Sequence, residues 1–393
     1  MERRMLGVFS AISFLVGMRK AVFVPFFSLY LRNELVTSYT QIGIILTLMT
    51  VVNALFQIVW GWTSDRVAKR KHFIIMGEGI SGIVFLFLPQ ITNIAVLAAL
   101  LICVNILWSM ATPAWKALIA EHSNPGERGD LVGKITTCAG IGGILAFPII
   151  GELISRYGYV YLFYFCSFCM LLISFAALFG REPEGLQPSN HRLLSIEQVR
   201  TLYTQHRLFS VYTFLIFLSV FASNLIEGFM SLYIMHLGAS VKQFSYLFML
   251  RDGSETILMI PMGKLTDRIG RVKMLEVSLA ISALAVLLFA AAPVWWYLWL
   301  FIVVESIGYS GYYVSSFAVL SSLTPKEMRG TYMGFHSMTT SFSGFASSVG
   351  GSIADMCGLR ILFFCSFAVS FLVVVYFVTW LRKHNETISQ SEN

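Results

Sequence analysis

The chain has 393 residues, of which 56% are hydrophobic and only 12% charged. That is about half the ~25% charged residues of an ordinary soluble domain, which excludes a water-soluble globule. The net charge of +7 does not mark a nucleic-acid surface. The basic residues sit in short clusters at the ends of apolar blocks, from Arg66 to Lys71, from Lys264 to Lys273 and at Arg382 and Lys383, as cytoplasmic loops do.

Several apolar blocks pass the ~18-residue threshold for a membrane helix. Hydropathy and turn signals predict twelve spans, at 5–31, 38–62, 73–90, 94–118, 132–154 and 159–180, then at 210–235, 241–262, 274–292, 295–321, 331–354 and 360–381. The expected organisation is a six-helix bundle over 1–180, a cytoplasmic linker over 181–209 with Pro183, Gly185 and Pro188, a second bundle over 210–381, and a cytoplasmic tail over 382–393. The N-terminus has no small-residue cleavage site before a first span too long for a signal peptide. With the N-terminus inside, only Arg32, Arg156, Lys242 and Arg360 of the 28 Lys and Arg residues fall outside, and Arg19, Lys20 and Arg251 fall within spans. The remaining 21 lie inside, so both termini are expected in the cytoplasm.

An ionisable group in hydrocarbon costs at least about 2.5–3.5 kcal/mol, so each one within a span is a functional candidate. The first span carries Arg19 and Lys20. Neighbours on a helix point about 100° apart, so one of the two, Arg19, is expected to face a cavity while Lys20 packs in an adjacent groove or snorkels. Glu78, Lys116, Glu152 and Glu276 lie nearer span ends and read as structural or interfacial. In the fifth span Gly143, Pro148 and Gly151 permit close helix contact and a bend. Cys166 and Cys169, inside the sixth, read as small packing residues rather than metal or redox ligands.

In the second half, Glu227 in the seventh span reads either as a proton site or as a structural carboxylate, for instance one paired to Arg19. The eighth span holds Arg251, Asp252 and Glu255, spaced so that Glu255 reaches both others. The matching stretch of the second span, around Met49, Thr50 and Asn53, is uncharged, so the charges are not an architectural requirement of the repeat. Glu305 in the tenth span neighbours Tyr309, Tyr312 and Tyr313, which either pack or cage a cation. A nearby arginine favours the ionised carboxylate. Asp252 and Glu255 are therefore expected to stay charged beside Arg251, leaving Glu227 and Glu305 as the proton carriers. His336 is read as a polar packing residue.

The halves repeat. Gly61, Asp65 and Arg66 recur as Gly263, Asp267 and Arg268, and Gln41 recurs as Gln243, all 202 residues on. Ser28, Leu29 and Tyr30 recur as Ser231, Leu232 and Tyr233, Arg128 and Gly129 as Arg329 and Gly330, and Gly151 and Gly158 as Gly351 and Gly358. Such register argues for two homologous six-helix bundles around a central cavity.

The run from Gly263 to Lys273 resembles the signature loop of the major facilitator superfamily, and Gly61 to Lys71 resembles its sister loop, departing at Ala68 where that family has glycine. The resemblance implies an all-α integral membrane protein, with twelve helices in two pseudo-symmetric bundles and alternating access by rocking of the halves. It also implies a cytoplasmic latch built from Gly61, Asp65, Arg66, Lys69 and Arg70 with Gly263, Asp267, Arg268 and Arg271. The fifth span partly resembles the Gly/Pro motif of the superfamily's drug–proton antiporters, with Phe147 and Glu152 in place of glycines. The expected function is proton-coupled efflux of small amphiphilic compounds across the plasma membrane by a monomer. The alternative is symport uptake of an organic anion or nutrient, and a non-transporting receptor of the same fold stands further back. No nucleotide-binding loop, catalytic triad or metal-ligand spacing is present, so neither enzyme activity nor a cofactor is expected.

Overall fold

A computed structural model describes residues 3–67, 69–122, 128–182, 207–324 and 329–390. Ala68, the departure in the first signature loop, and most of the linker between the halves lie outside these. Every regular element described is helical, as a chain in hydrocarbon must be when its backbone can bond only to itself. In chain order they are α1 (Arg3–Asn33), α2 (Tyr39–Val67), α3 (Arg70–Phe87), α4 (Ile94–Trp108), α5 (Ala111–Glu121), α6 (Arg128–Tyr157) and α7 (Val160–Leu178). The second half continues with α8 (Arg207–Glu227), α9 (Met230–His236), α10 (Val241–Ile269), α11 (Arg271–Ala291), α12 (Leu298–Ser322), α13 (Arg329–Ser341), α14 (Ala346–Cys357) and α15 (Leu359–Gln390).

Among the described residues, nine spans are long and apolar enough to cross a membrane, with α4 and α5 together forming one of them. The other three predicted spans are also helical, as α10, α12 and the pair α13 and α14, but they are more polar. α10 carries Arg251, Asp252 and Glu255, and α13 and α14 are rich in Ser, Thr and Gly. α15 continues past the predicted end of the last span to Gln390.

Local signals set the helix ends. The Asn93 side chain accepts the N–H groups of Ala95 and Val96 and so caps α4. Gly158 and Gly358, matched by the half-repeat, both adopt φ near +90° (91° and 89°), a conformation open to glycine and costly for other residues. They turn α6 into α7 and α14 into α15, so the repeat extends to backbone geometry.

Packing divides the chain into two compact units, one within Met1–Thr37, Leu48–Leu193 and Ser240–Met249, the other within Ser38–Thr47, Leu194–Ala239 and Leu250–Asn393. The division cuts α2 and α10 near their N-terminal ends, where the expected bundle boundaries left both helices whole. In the first unit α1 packs along α6 and α7, and α3 packs along α7 and α5. The second unit repeats those pairings, with α8 against α14 and α15, and α11 against α12 and α15. Within it, the Asp355 carboxylate accepts the first free N–H groups of α2, from Tyr39 at 3.0 Å and Thr40 at 2.7 Å, meeting the positive end of that helix.

Glycine sets the α1–α6 contact. A methyl on Gly142 would overlap the Phe14 carbonyl, and one on Gly17 would overlap that of Ala139. Gly151 is likewise closed in by Ser245, and Gly143 is buried. Gly142→Val should therefore destabilise the protein by about 1–3 kcal/mol or more, read as a lower melting temperature in detergent. Gly133→Ala on the same helix has open space around it and should leave the melting temperature unchanged or raise it.

Candidate functional site

The charged residues within the spans form two groups, one in each unit. In the first, Arg19 of α1 and Glu78 of α3 are 1% and 2% exposed. Their side chains pair at 3.1 Å, with an Arg19 N–H to Glu78 hydrogen bond of 3.2 Å. The Arg19 guanidinium also lies 4.0 Å from the centre of the Trp108 ring. Arg19 is thus enclosed and electrically matched inside its own unit, whereas its neighbour Lys20 is exposed. The geometry gives the pair the opposite placement from that expected of them. Glu78 was missed as a partner because it lies 59 residues away, and nothing local marks the contact.

The second group gathers on Arg251 in α10. Its guanidinium meets Glu227 of α8 end-on, with hydrogen bonds of 3.0 and 3.2 Å, and Glu305 of α12 side-on, with two of 3.2 Å. Both are forked pairs of the strong, directional kind that a guanidinium forms with carboxylates. A third carboxylate, Glu255, lies 3.2 Å from the same side-on nitrogen, yet its nearer oxygen, buried, accepts no hydrogen bond. Asp252 sits next in the chain and within the field of Arg251, Glu227 and Glu305. Three carboxylates thus meet one guanidinium and a fourth lies in its field, three negative charges in excess when all are ionised.

This geometry reverses the expected ranking. Glu227 and Glu305, expected to be the proton carriers, hold the forks of Arg251. Glu255, closest to it in sequence, is left over. The Glu227 side chain is 47% exposed, against 16% for Glu255 and 15% for Glu305, so Glu227 forms the open rim of the cluster. Tyr309 and Tyr313 stack one turn apart with centroids 6.3 Å apart. The His336 ring contacts the Thr213 hydroxyl at 3.3 Å and stacks on Tyr212.

The first signature loop is clamped within its own unit. Arg70 pairs with Asp65 at 2.7 Å and with Glu121 at 2.9 Å and donates to the Ser64 hydroxyl. Glu182 accepts the N–H groups of Arg70 and Lys71 at the start of α3. Arg66 lies over the Trp62 ring one turn earlier. The roles of Glu121 and Glu182 were not apparent from spacing. In the second loop Asp267 and Arg268 are exposed, and no ion pair holds Asp267 among the described residues. Gly61 and Gly263 have room for a methyl.

Comparisons with known proteins place this architecture. The profile of the Major Facilitator Superfamily matches residues 9–251 and 212–393. The chain is 25% identical over 391 residues to the maltose permease of Geobacillus stearothermophilus, covering 98% of this chain and 96% of that protein. It is 27% identical over 281 residues to the multidrug resistance protein MdtG of Salmonella arizonae, covering 69% of each. The crystal structure of the nucleoside transporter NupG superposes with a TM-score of 0.80 at 16% identity, covering 95% of this chain and 98% of that one. A bacterial homolog of the human lysosomal transporter Spinster gives 0.76 at 15% identity, covering 96% of both. The two structures share the fold, and the helices, the half-repeat and the family match agree: the chain is a multi-pass membrane protein of the all-α kind and belongs to the major facilitator superfamily of secondary transporters.

Proposed function

We propose that this transporter is proton-coupled, exports small amphiphilic compounds across the plasma membrane as a monomer with both termini cytoplasmic, and carries its coupling proton in the cluster around Arg251. The observation that supports this reading is the unequal sharing of one guanidinium. Two carboxylates occupy its forks and Glu255 is left without a hydrogen bond. Like charges this close disfavour one another's ionised forms, so a proton on Glu255 relieves the excess. Glu227, at the exposed rim, is the group through which protons enter. The multidrug resistance relative favours efflux. The maltose permease, similar over nearly its whole length, favours a second reading, in which the same cluster drives uptake of a nutrient or organic anion by symport.

The test uses purified protein in liposomes with an internal pH dye and a panel of organic anions, lipophilic cations and sugars. At least one compound should move protons with the wild type. Glu255→Gln should cut that proton movement at least tenfold while downhill substrate exchange continues. The sign of the proton flux relative to substrate separates antiport from symport. Unchanged proton movement in Glu255→Gln removes Glu255 from the coupling path.

A further inference from the structure

Lys20 lies next to Arg19 in α1, but the two charges have different fates. Arg19 is enclosed with Glu78 and Trp108 and its charge is cancelled there. Lys20 is exposed, and no carboxylate pairs with it among the described residues. Its charged neighbours are Arg19, Glu78 and Lys116. Because Arg19 and Glu78 neutralise each other, Lys20 and the exposed Lys116 leave this region of the first unit with uncompensated positive charge.

Depth sharpens the point. Lys20 lies about 25 Å along α1 from Arg3, just past the middle of a 31-residue helix. A bare ammonium facing acyl chains there is strongly disfavoured. Lys20 is exposed, and the charges nearest it, Arg19, Glu78 and Lys116, all belong to its own unit. An exposed ammonium in the middle of a span, with no carboxylate in ion-pair contact with it among the described residues, is arranged to receive an anion. Arg251 in the other unit is a poor alternative, since carboxylates of its own unit already hold both its forks.

We propose that Lys20 is an anion-recognition site of this transporter and that its ligand is a small organic monoanion, a carboxylate carried on an apolar body. The proposal rests on the transporter reading but not on proton coupling or direction. Its test is binding without any gradient, so it fails separately from the coupling role given to Glu255.

The first experiment measures saturable binding to the full-length protein in detergent. The probes are benzoate, phenylacetate and hexanoate, with the corresponding amides and benzylammonium as neutral and cationic counterparts. At least one carboxylate should bind while its amide does not. Lys20→Met should weaken that binding at least tenfold, and Lys20→Arg should keep it within about threefold. The second experiment treats Lys20→Cys with a charged, water-soluble methanethiosulfonate and reads the labelled peptide by mass spectrometry. Residue 20 should label, and the bound carboxylate should slow the reaction. The proposal is overturned if no carboxylate binds the wild type, if an amide binds as well as its acid, if Lys20→Met binds like the wild type, or if residue 20 stays unlabelled.

Discussion

Arg251→Ala is expected to reduce transport at least a hundredfold and to lower the stability of the protein by several kcal/mol. The guanidinium sits 3.0–3.2 Å from Glu227, Glu255 and Glu305. Its removal leaves those carboxylates facing one another with no cation between them. Breaking a buried ion pair by deleting one partner costs about 3–5 kcal/mol, because the charge left behind is uncompensated. The protein can respond by taking up protons, and on the proposed coupling this would hold the cluster in the protonated form that the cycle must leave. Arg251→Lys separates charge from geometry. An ammonium is a point charge without the planar fork that gives each carboxylate two parallel bonds, so Lys should restore most of the stability and little of the transport. Flux assays in proteoliposomes and melting temperatures in detergent check both. Wild-type flux in Arg251→Lys would show that only a positive charge is required and that the two forks carry no part of the mechanism. Glu255→Gln added to Arg251→Ala should recover part of the lost stability, since it removes one of the stranded charges.

That cluster also shows where sequence reasoning stops. Span number, half-repeat and signature loops were legible because they depend on local hydropathy and on a register preserved along the chain. Rotation and helix neighbours were not. Glu227 and Glu305 are 24 and 54 residues from Arg251, and the contact depends on which faces α8, α10 and α12 turn to one another inside their unit. Proximity in sequence was therefore a poor guide, and it assigned the arginine to Glu255 first. The same limit hid the pairing of the first nine residues of α2 with α14, held in part by Asp355 more than 300 residues away. Even so, the absence of charge around Met49, Thr50 and Asn53 singled out α10, and it is α10 whose Arg251 gathers Glu227, Glu255 and Glu305. A repeat that is faithful elsewhere makes its exceptions informative.

The second large effect concerns stability, and it distinguishes two roles for Arg19. Glu78→Gln should lower stability by about 3–5 kcal/mol, since it leaves a guanidinium that is 1% exposed without its counter-charge. The Trp108 ring offsets part of that, by about 2 kcal/mol for a desolvated contact, so the loss should fall toward the lower end. Arg19→Met should cost a similar amount by stranding Glu78. The double variant Arg19→Met with Glu78→Leu removes both charges, and apolar replacement of a buried pair is often neutral or stabilising. A double-mutant cycle on melting temperature and denaturant unfolding should therefore show strong coupling, with the double variant nearer to wild type than either single variant. Transport decides what the pair is for. If Arg19 and Glu78 serve only to hold α1 against α3, the double variant should transport at close to the wild-type rate once its stability is restored. A double variant that folds well and transports nothing would mean that Arg19 reaches the substrate in some stage of the cycle. The anion-binding role argued for Lys20 would then have to be shared with its neighbour.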